Sequence, residues 1–359
     1  MSQLTNNRNT EVLLAGIDLA WQTTKNPSAV ALGKLAGDTL DVTHLEPALY
    51  GIENIRSVLA EESLHGIAVD APLIINNVTG QRPCEKTLSA NYHSRFAGCH
   101  PSNQTLYPNA LSVQLADQLS EIGFQHLGST DTPWQIECYP HPSIVEIFGL
   151  PERHKYKKGT VTERRLGQIR LAMMIKSLAT SSALKLSLPG HVLKLLDEPY
   201  INDLSGQSLK SNEDGLDALI CLYIAGLYQR QADAAVYGDT IDGYIWVPTA
   251  QVASFSPGPA HPLKPRPQPI NRKHTAPPKV GITEDFRNGT TQSTTIGYIN
   301  RNQQRVLGTR GKSGTDHRAK AYKLECLNSK CGHLYGANGT DVFLRKCPEC
   351  QDGRPGIPY

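Results

Sequence analysis

Several carboxylates in the N-terminal two-thirds of the chain stand beside apolar runs, where a lone ion is costly to bury. Asp18 closes Gly16-Ile-Asp-Leu-Ala20, Asp70 closes Ala68-Val-Asp-Ala-Pro72, and Glu137 lies in Ile136-Glu-Cys-Tyr-Pro140. Asp214 and Asp217 lie in Glu213-Asp-Gly-Leu-Asp-Ala-Leu219. Carboxylates that meet around Mg²⁺ or Mn²⁺ have their mutual repulsion offset by the metal. The spacing suits convergence. Asp214 and Asp217 are three apart and share a helix face, while the other three end strands, and strand ends on one side of a sheet lie close together. Taken singly, each has a structural explanation: Asp18 as a turn cap, Asp70 as a turn aspartate, Asp214 as a first-turn helix residue favouring the dipole. Taken together, Asp18, Asp70, Glu137, Asp214 and Asp217 read as a catalytic set, with Asp18, Asp70 and Asp217 as ligands of magnesium or manganese.

A second chemistry lies near the C-terminus. Cys326-x4-Cys331 and Cys347-x2-Cys350 are separated by fifteen residues, whereas Cys84, Cys99, Cys138 and Cys221 are scattered. Two cysteine knuckles can close a tetrahedral thiolate site, so Cys326, Cys331, Cys347 and Cys350 are the expected ligands of a structural zinc, with His333 as an alternative to one cysteine. The segment resembles a zinc ribbon, with Tyr322–Glu325 and Val342–Lys346 as its hairpin strands. So small a unit has little core, and zinc is expected to supply much of its folding energy.

Candidate phosphate-binding residues near the acidic motifs are Arg82, Lys86, Arg95 and His141. His141 stands between two prolines and has a turn role as its alternative. The run His154-Lys-Tyr-Lys-Lys158 reads as a solvated basic surface. Cys138, beside Glu137, reads as a buried strand cysteine rather than a nucleophile, because no dedicated base accompanies it.

Residues 12–249 must position these groups. Val12–Leu19 is an apolar strand, Ala29–Leu35 and Thr39–Leu45 form a hairpin about Gly37-Asp38, and Gly66–Asp70 is a short buried strand. Helices are expected over Gly51–Ala60, Arg82–Phe96, Ala110–Ile122, Thr162–Ala179 (with Thr162 as N-cap) and Asn212–Tyr228. Strands are expected at Gln135–Tyr139 and Gly243–Val247. Three early strands followed by alternating helices and strands predict an α/β domain, a mixed sheet with helices packed on it.

Beyond this domain, residues 257–278 hold eight prolines and read as an extended linker. The charge changes sign across it. Residues 251–359 carry 17 Lys/Arg against 7 Asp/Glu, leaving 19 basic and 26 acidic of the chain's 36 and 33 for residues 1–250. A basic C-terminal part suits a polyanion such as nucleic acid, although ribbons also dock proteins. The division is therefore a tail over 1–11, an α/β domain over 12–249, a basic proline-rich linker over 250–300 and a ribbon over 301–359. No apolar run reaches the ~20 residues of a membrane span and the N-terminus lacks a signal-peptide core, so the expected location is cytoplasmic and no membrane partner is expected.

In the order Gly-Ile-Asp-Leu-Ala, Ala-Val-Asp-Ala-Pro-Leu, Arg82-Pro-Cys-Glu, Ile-Glu-Cys-Tyr-Pro-His-Pro, Asp214-Gly-Leu-Asp-Ala-Leu and Gly243-Tyr-Ile-Trp-Val-Pro, the chain resembles domain-of-unknown-function family 429, a family of predicted RNase H-like nucleases. The resemblance covers about residues 12–249. It implies an RNase H-like fold whose metal-binding aspartates map to Asp18, Asp70 and Asp217. The Asp-x-x-Asp-Ala helix is also similar to Holliday-junction resolvases, which adds Asp214, and Glu137 matches the family's Glu-x-x-Pro element. The implied chemistry is two-metal hydrolysis of phosphodiester bonds in DNA or RNA, with an inactive nucleic-acid- or protein-binding scaffold as the alternative.

Overall fold

In a computed structural model the chain divides into two compact units, Met1–Pro259 and Ala260–Tyr359. The described residues are 11–21, 26–60, 63–249, 286–316, 319–328, 331–351 and 353–359. The tail, except Glu11, and linker residues 250–285 lie outside them.

The first unit opens with β1 (Val12–Asp18), β2 (Ser28–Ala36) and β3 (Thr39–Leu49), then α1 (Ile52–Ala60) and β4 (Leu64–Asp70). There follow α2 (Pro83–Asn91), α3 (Leu111–Glu121), β5 (Gln125–His126), β6 (Trp134–Glu137) and α4 (Pro140–Ile147). The remainder is α5 (Val161–Ser177), β7 (Lys185–Ser187), α6 (Gly190–Leu195), α7 (Glu198–Asp203), α8 (Gly206–Gln229) and the hairpin β8 (Ala234–Asp239) and β9 (Gly243–Pro248). Seven strands form one sheet in the order β5-β6-β4-β1-β2-β3-β7. β2 runs antiparallel to β1 and β3, while β1, β4 and β6 run parallel. This is the mixed α/β sheet that the pattern predicts.

The expected elements are present with shifted ends. α5 is capped by Thr160, not Thr162: the Thr160 hydroxyl accepts from the Glu163 N–H at 3.2 Å, and the Glu163 carboxylate accepts from the Thr160 N–H at 2.7 Å, a reciprocal capping box. α2 stops at Asn91 and a short 3₁₀ turn, His93–Arg95, continues the segment. Tyr139 falls outside β6, because Pro140 opens α4 at its first turn, where its missing N–H is not needed. α8 begins six residues before the expected start.

α8 is buried on every side from Asn212 to Leu227, the mark of a helix at the centre of a core. It crosses β1 at Gly16, where a Cβ would stand 2.0 Å from the Leu222 nitrogen and 2.4 Å from the Ala218 oxygen. Only glycine lets helix and strand approach so closely, and the approach brings the start of α8 beside the end of β1. Leu14, Ala29, Ala31, Ala68 and Ile136 pack under α8, while Ala15, Ile17, Ile67 and Val69 face α1 and α3.

The second unit holds β10 (Gln304–Gly308), β11 (Ala321–Cys326) and β12 (Leu334–Asn338) in one antiparallel sheet. One strand of the expected ribbon hairpin is therefore corrected. Tyr322–Glu325 lies in β11, but its partner is Leu334–Asn338, and Val342–Leu344 is a 3₁₀ turn. Residues 286–300, placed in the linker from composition, pack within this unit. Arg287 and Thr309 exchange backbone hydrogen bonds at 2.9 and 3.0 Å, and the Asn300 amide donates to the carbonyls of Val342 and Arg345. Among the described residues no helix is long and apolar enough to cross a membrane.

Candidate functional site

β1 and β4 are neighbours in parallel register, and Asp18 pairs directly with Asp70 at their C-terminal ends. Both point to the face that α8 covers. Asp214 and Asp217, three apart on α8, arrive beside them. Asp217 is fully buried, and Asp70 and Asp214 nearly so. Burial raises the Asp70 carboxyl well above the usual range. Lys157 partly offsets this, and the Asp18 and Asp217 charges add to it. Asp214 is pushed up to about 9 by burial and by the charge of Asp18, against the pull of Lys210. Asp217 is pushed up to about 6 by burial, with Lys157 opposing and Asp18 reinforcing the rise. Asp70, Asp214 and Asp217 each lie within reach of the Asp18 charge.

Two ammonium groups enter it. Lys157 Nζ lies 2.7 Å from Asp217 and 3.8 Å from Asp70, and burial, which alone lowers its pKa, is outweighed by the carboxylates around it. Lys210 pairs with Asp214 and, at 3.0 Å, with Glu213, which also pairs with Arg164 at 3.3 Å. The Tyr156 hydroxyl donates to Asp217 Oδ1 at 2.5 Å. Four aspartates thus face two lysines, leaving two negative charges when all are ionised. Asp214 Oδ2 is buried with no hydrogen-bond donor. The deficit is that of one divalent cation, and the donors are hard carboxylate oxygens of the kind that Mg²⁺ and Mn²⁺ prefer.

Glu137 lines the same cavity and adds to the rise of the Asp70 carboxyl, but its own partners are different. It pairs in register with Val69, one residue before Asp70. Side chains alternate along a strand, so the pleat that sends Asp70 toward α8 sends Glu137 to the opposite face. There both oxygens accept from Arg82, at 2.9 and 2.5 Å, and Oε2 also accepts from the Leu73 N–H at 3.0 Å. Arg82 is 1% exposed and also grips Glu85 at 2.9 Å, while Glu85 accepts from Ser102. The guanidinium is consumed by two buried glutamates. Arg95 is likewise engaged, with Glu146 at 2.6 Å and the Leu150 carbonyl at 2.8 Å. Lys86 is exposed on α2 and does not line the central cavity.

His141 does line it, as do Arg82 and Glu137. A cavity of about 320 Å³ opens over Asp18 and Asp70, and His141 shares its wall with Arg153, Tyr156, Lys157 and Lys158. His141 is held neutral by burial, with Lys157 and Arg153 adding to the effect. The run His154–Lys158, which the sequence suggests is solvated surface, therefore supplies the wall. Its path is set by Gly167 on α5, where a Cβ would stand 2.3 Å from the Lys155 carbonyl oxygen and 2.6 Å from Tyr156 Cα. The Gly167 carbonyl bonds His154 Nε2 at 2.8 Å. Held this close to α5, the segment carries Tyr156 and Lys157 inward. The one sequence signal was an aromatic residue among the lysines.

In the second unit Cys326, Cys331, Cys347 and Cys350 present sulfurs that all lie within 4.8 Å of one another. Cys326–Cys350 is 3.6 Å and Cys331–Cys347 is 3.7 Å. Four thiolates at the ~2.3 Å zinc–sulfur distance stand about 3.8 Å apart, so the cluster fits a metal such as zinc. His333 stacks on Tyr335 and pairs with Glu349 at 3.9 Å, and the cysteines form the set without it. Among the described residues this is the group of three or more potential ligands that is already gathered; the aspartates are held further apart, with Lys157 and Lys210 among them.

A family model described as protein of unknown function (DUF429) matches residues 16–240. No curated protein and no solved structure matches the chain.

Proposed function

The chain belongs to the DUF429 family, and on that premise we propose that it is a divalent-metal-dependent hydrolase of phosphodiester bonds in DNA or RNA. The observation that carries this reading is the meeting of Asp18, Asp70, Asp214 and Asp217 at the ends of β1 and β4 and the start of α8, under a cavity with cationic walls. The strand order, with β2 antiparallel between β1 and β3, supports the RNase H-like architecture that the sequence resemblance implies. Asp18, Asp70, Asp214 and Asp217 would hold Mg²⁺ or Mn²⁺, which supplies water activation and charge stabilisation at a phosphoryl oxygen. Asp70 and Asp217 hold the Lys157 ammonium at the cavity wall, where it faces an incoming phosphate. Tyr156 orients Asp217 by its hydrogen bond. Arg82 and Glu137 act at one remove, fixing the turn after β4 through the Leu73 N–H. The C-terminal unit would hold a structural zinc on its four cysteines, and its basic residues would add nucleic-acid affinity.

Cleavage of labelled DNA and RNA with Mg²⁺ or Mn²⁺ tests the proposal. Wild type is expected to cut, and Asp18→Asn and Asp217→Asn to lose cutting by at least about a hundred-fold. Equal behaviour of wild type and variants refutes it. A second reading, a binding scaffold without turnover, is favoured by one observation: the 2.7 Å Lys157–Asp217 pair occupies part of the acidic cluster with an internal cation. Nucleic-acid binding with no cutting under either metal would select it.

A further inference from the structure

The cavity over Asp18 and Asp70 has a shape and lining that the hydrolase reading does not itself require. At about 320 Å³ it lies at the lower end of the range for small-ligand pockets, roughly 300–1,000 Å³. It admits one small ligand and no intact duplex. Its floor is acidic and its wall is cationic. Among the described residues the side chains of Arg153 and Lys158 make no ion pair, whereas Arg82 and Arg95 are spent on glutamates. His141, 9% exposed, also lines the cavity. The Tyr139 ring, edge-on to His141 at 5.5 Å between centroids, lines the same space and offers a surface for an aromatic base.

We propose that this cavity takes a single nucleotide unit, its phosphate between the acidic floor and Arg153 and Lys158, its base against the aromatic wall. The substrates are then single strands or frayed ends rather than the interior of a duplex, and a free nucleoside monophosphate occupies the cavity as a ligand or product. The inference rests on the hydrolase reading for its chemistry but on the cavity for its selectivity. Because Asp18 and Asp70 repel an anion, binding depends on a divalent cation to join phosphate and floor.

The test uses the full-length, zinc-loaded chain. Equilibrium binding is measured for nucleoside 5′-monophosphates, the same nucleosides without phosphate, and inorganic phosphate, each with and without Mg²⁺. Cleavage is measured in parallel on a closed circular duplex and on a single strand of matching sequence. The monophosphates are expected to bind at least about ten-fold more tightly than nucleosides or inorganic phosphate, only with Mg²⁺, and Arg153→Gln or Lys158→Gln to weaken them by about ten-fold. Both variants alter partly or fully exposed side chains with no ion-pair partner among the described residues and leave the fold intact, which circular dichroism verifies. Tighter binding of single strands than of monophosphates identifies the unit as part of a strand; the reverse identifies a free nucleotide; either supports the inference. Inorganic phosphate binding as well as the monophosphates, unchanged affinity in both variants, or equal cutting of closed duplex and single strand overturns it while the hydrolase reading stands. Nucleotide binding with no cutting of any substrate upholds the cavity assignment and sinks the hydrolase reading.

Discussion

Replacing Arg82 by alanine separates two roles that the sequence alone leaves open, phosphate binding and internal support. The structure puts the guanidinium at 1% exposure, with both Glu137 oxygens at 2.9 and 2.5 Å, Glu85 at 2.9 Å and the Ile74 carbonyl at 3.0 Å. Removing one partner of a buried ion pair costs about 3–5 kcal/mol, because the remaining charge has neither water nor counter-charge. Here two buried carboxylates lose the same cation, so the upper half of that range is expected. For a domain of this size about 1 kcal/mol moves Tm by roughly 2–4 °C, which gives a fall of about 8–20 °C. The loss depends on pH with a definite sign. Burial already raises the Glu137 carboxyl, with Arg82 opposing the rise; without Arg82 it titrates further above the unfolded value of about 4.3, so the folded variant binds more protons than the unfolded chain. Its stability deficit is then largest at neutral pH and shrinks as pH falls toward about 5. Circular-dichroism melts of the full chain at pH near 7.5 and near 5 read both effects. A Tm change under about 2 °C with weakened nucleotide binding would mean that Arg82 is a surface phosphate ligand and that the buried network is misassigned. A large Tm loss of equal size at both pH values would refute the carboxylate explanation.

Mn²⁺ affinity should climb as pH rises from about 6 to 9, since Asp217 and Asp214, pushed up to about 6 and about 9, must give up protons to become ligands; calorimetry in buffers of different ionisation heat would detect the released protons, and a flat profile contradicts the shared site. Chelating zinc, or Cys347→Ser, is expected to abolish the cooperative unfolding of the C-terminal unit and leave the α/β unit's melting unchanged; two transitions followed by limited proteolysis check this, and loss of both would show that the units do not fold separately. Gly167→Ala is expected to cost about 1–3 kcal/mol and to reduce cleavage further than its stability loss explains, because the Lys155 carbonyl at 2.3 Å from the new Cβ must move and take Lys157 with it; a variant as stable and active as wild type would show that this close approach is not needed.

The sheet was legible because its strands are short, apolar and punctuated, and because the Asp18 and Asp70 motifs end them. The α8 aspartates were legible from their spacing and from the apolar run that follows. The partners of Glu137 were not legible: its motif has the same look as that of Asp70, but a one-residue offset in register turns its side chain to Arg82, and register is not written in a short motif. Arg82 and Arg95 are candidate phosphate ligands from sequence because Glu137 and Glu146 lie more than fifty residues away, and the nearby Glu85 is by itself an ordinary i,i+3 helix partner. Lys157 went unassigned for the opposite reason. A run of lysines next to glycine has the composition of surface, and only the close approach at Gly167, set by a helix that starts later in the chain, turns one of them inward. In the C-terminal unit the ligand spacing was legible, but the second hairpin strand was not, because Leu334–Asn338 contains two small residues and an asparagine and has little strand character of its own.

The same lysines that complicate the acidic cluster also explain how it can exist. Four aspartates brought together at the end of a buried helix would repel one another in the folded apo-protein, and α8 could not hold its place against β1 without relief. Lys157 and Lys210 supply that relief for two of the four charges, and protons supply part of the rest, as the raised Asp70 and Asp214 carboxyls indicate. A site neutralised completely by lysines would have no use for a metal. A site with none would depend on metal to fold. On the proposed reading, a half-neutralised site keeps its shape when empty and would still gain from a divalent cation, which would replace protons on carboxylates already in place. This arrangement also keeps Lys157 at the cavity wall, so on the proposed reading the group that stabilises the empty site would also be the one that meets the phosphate.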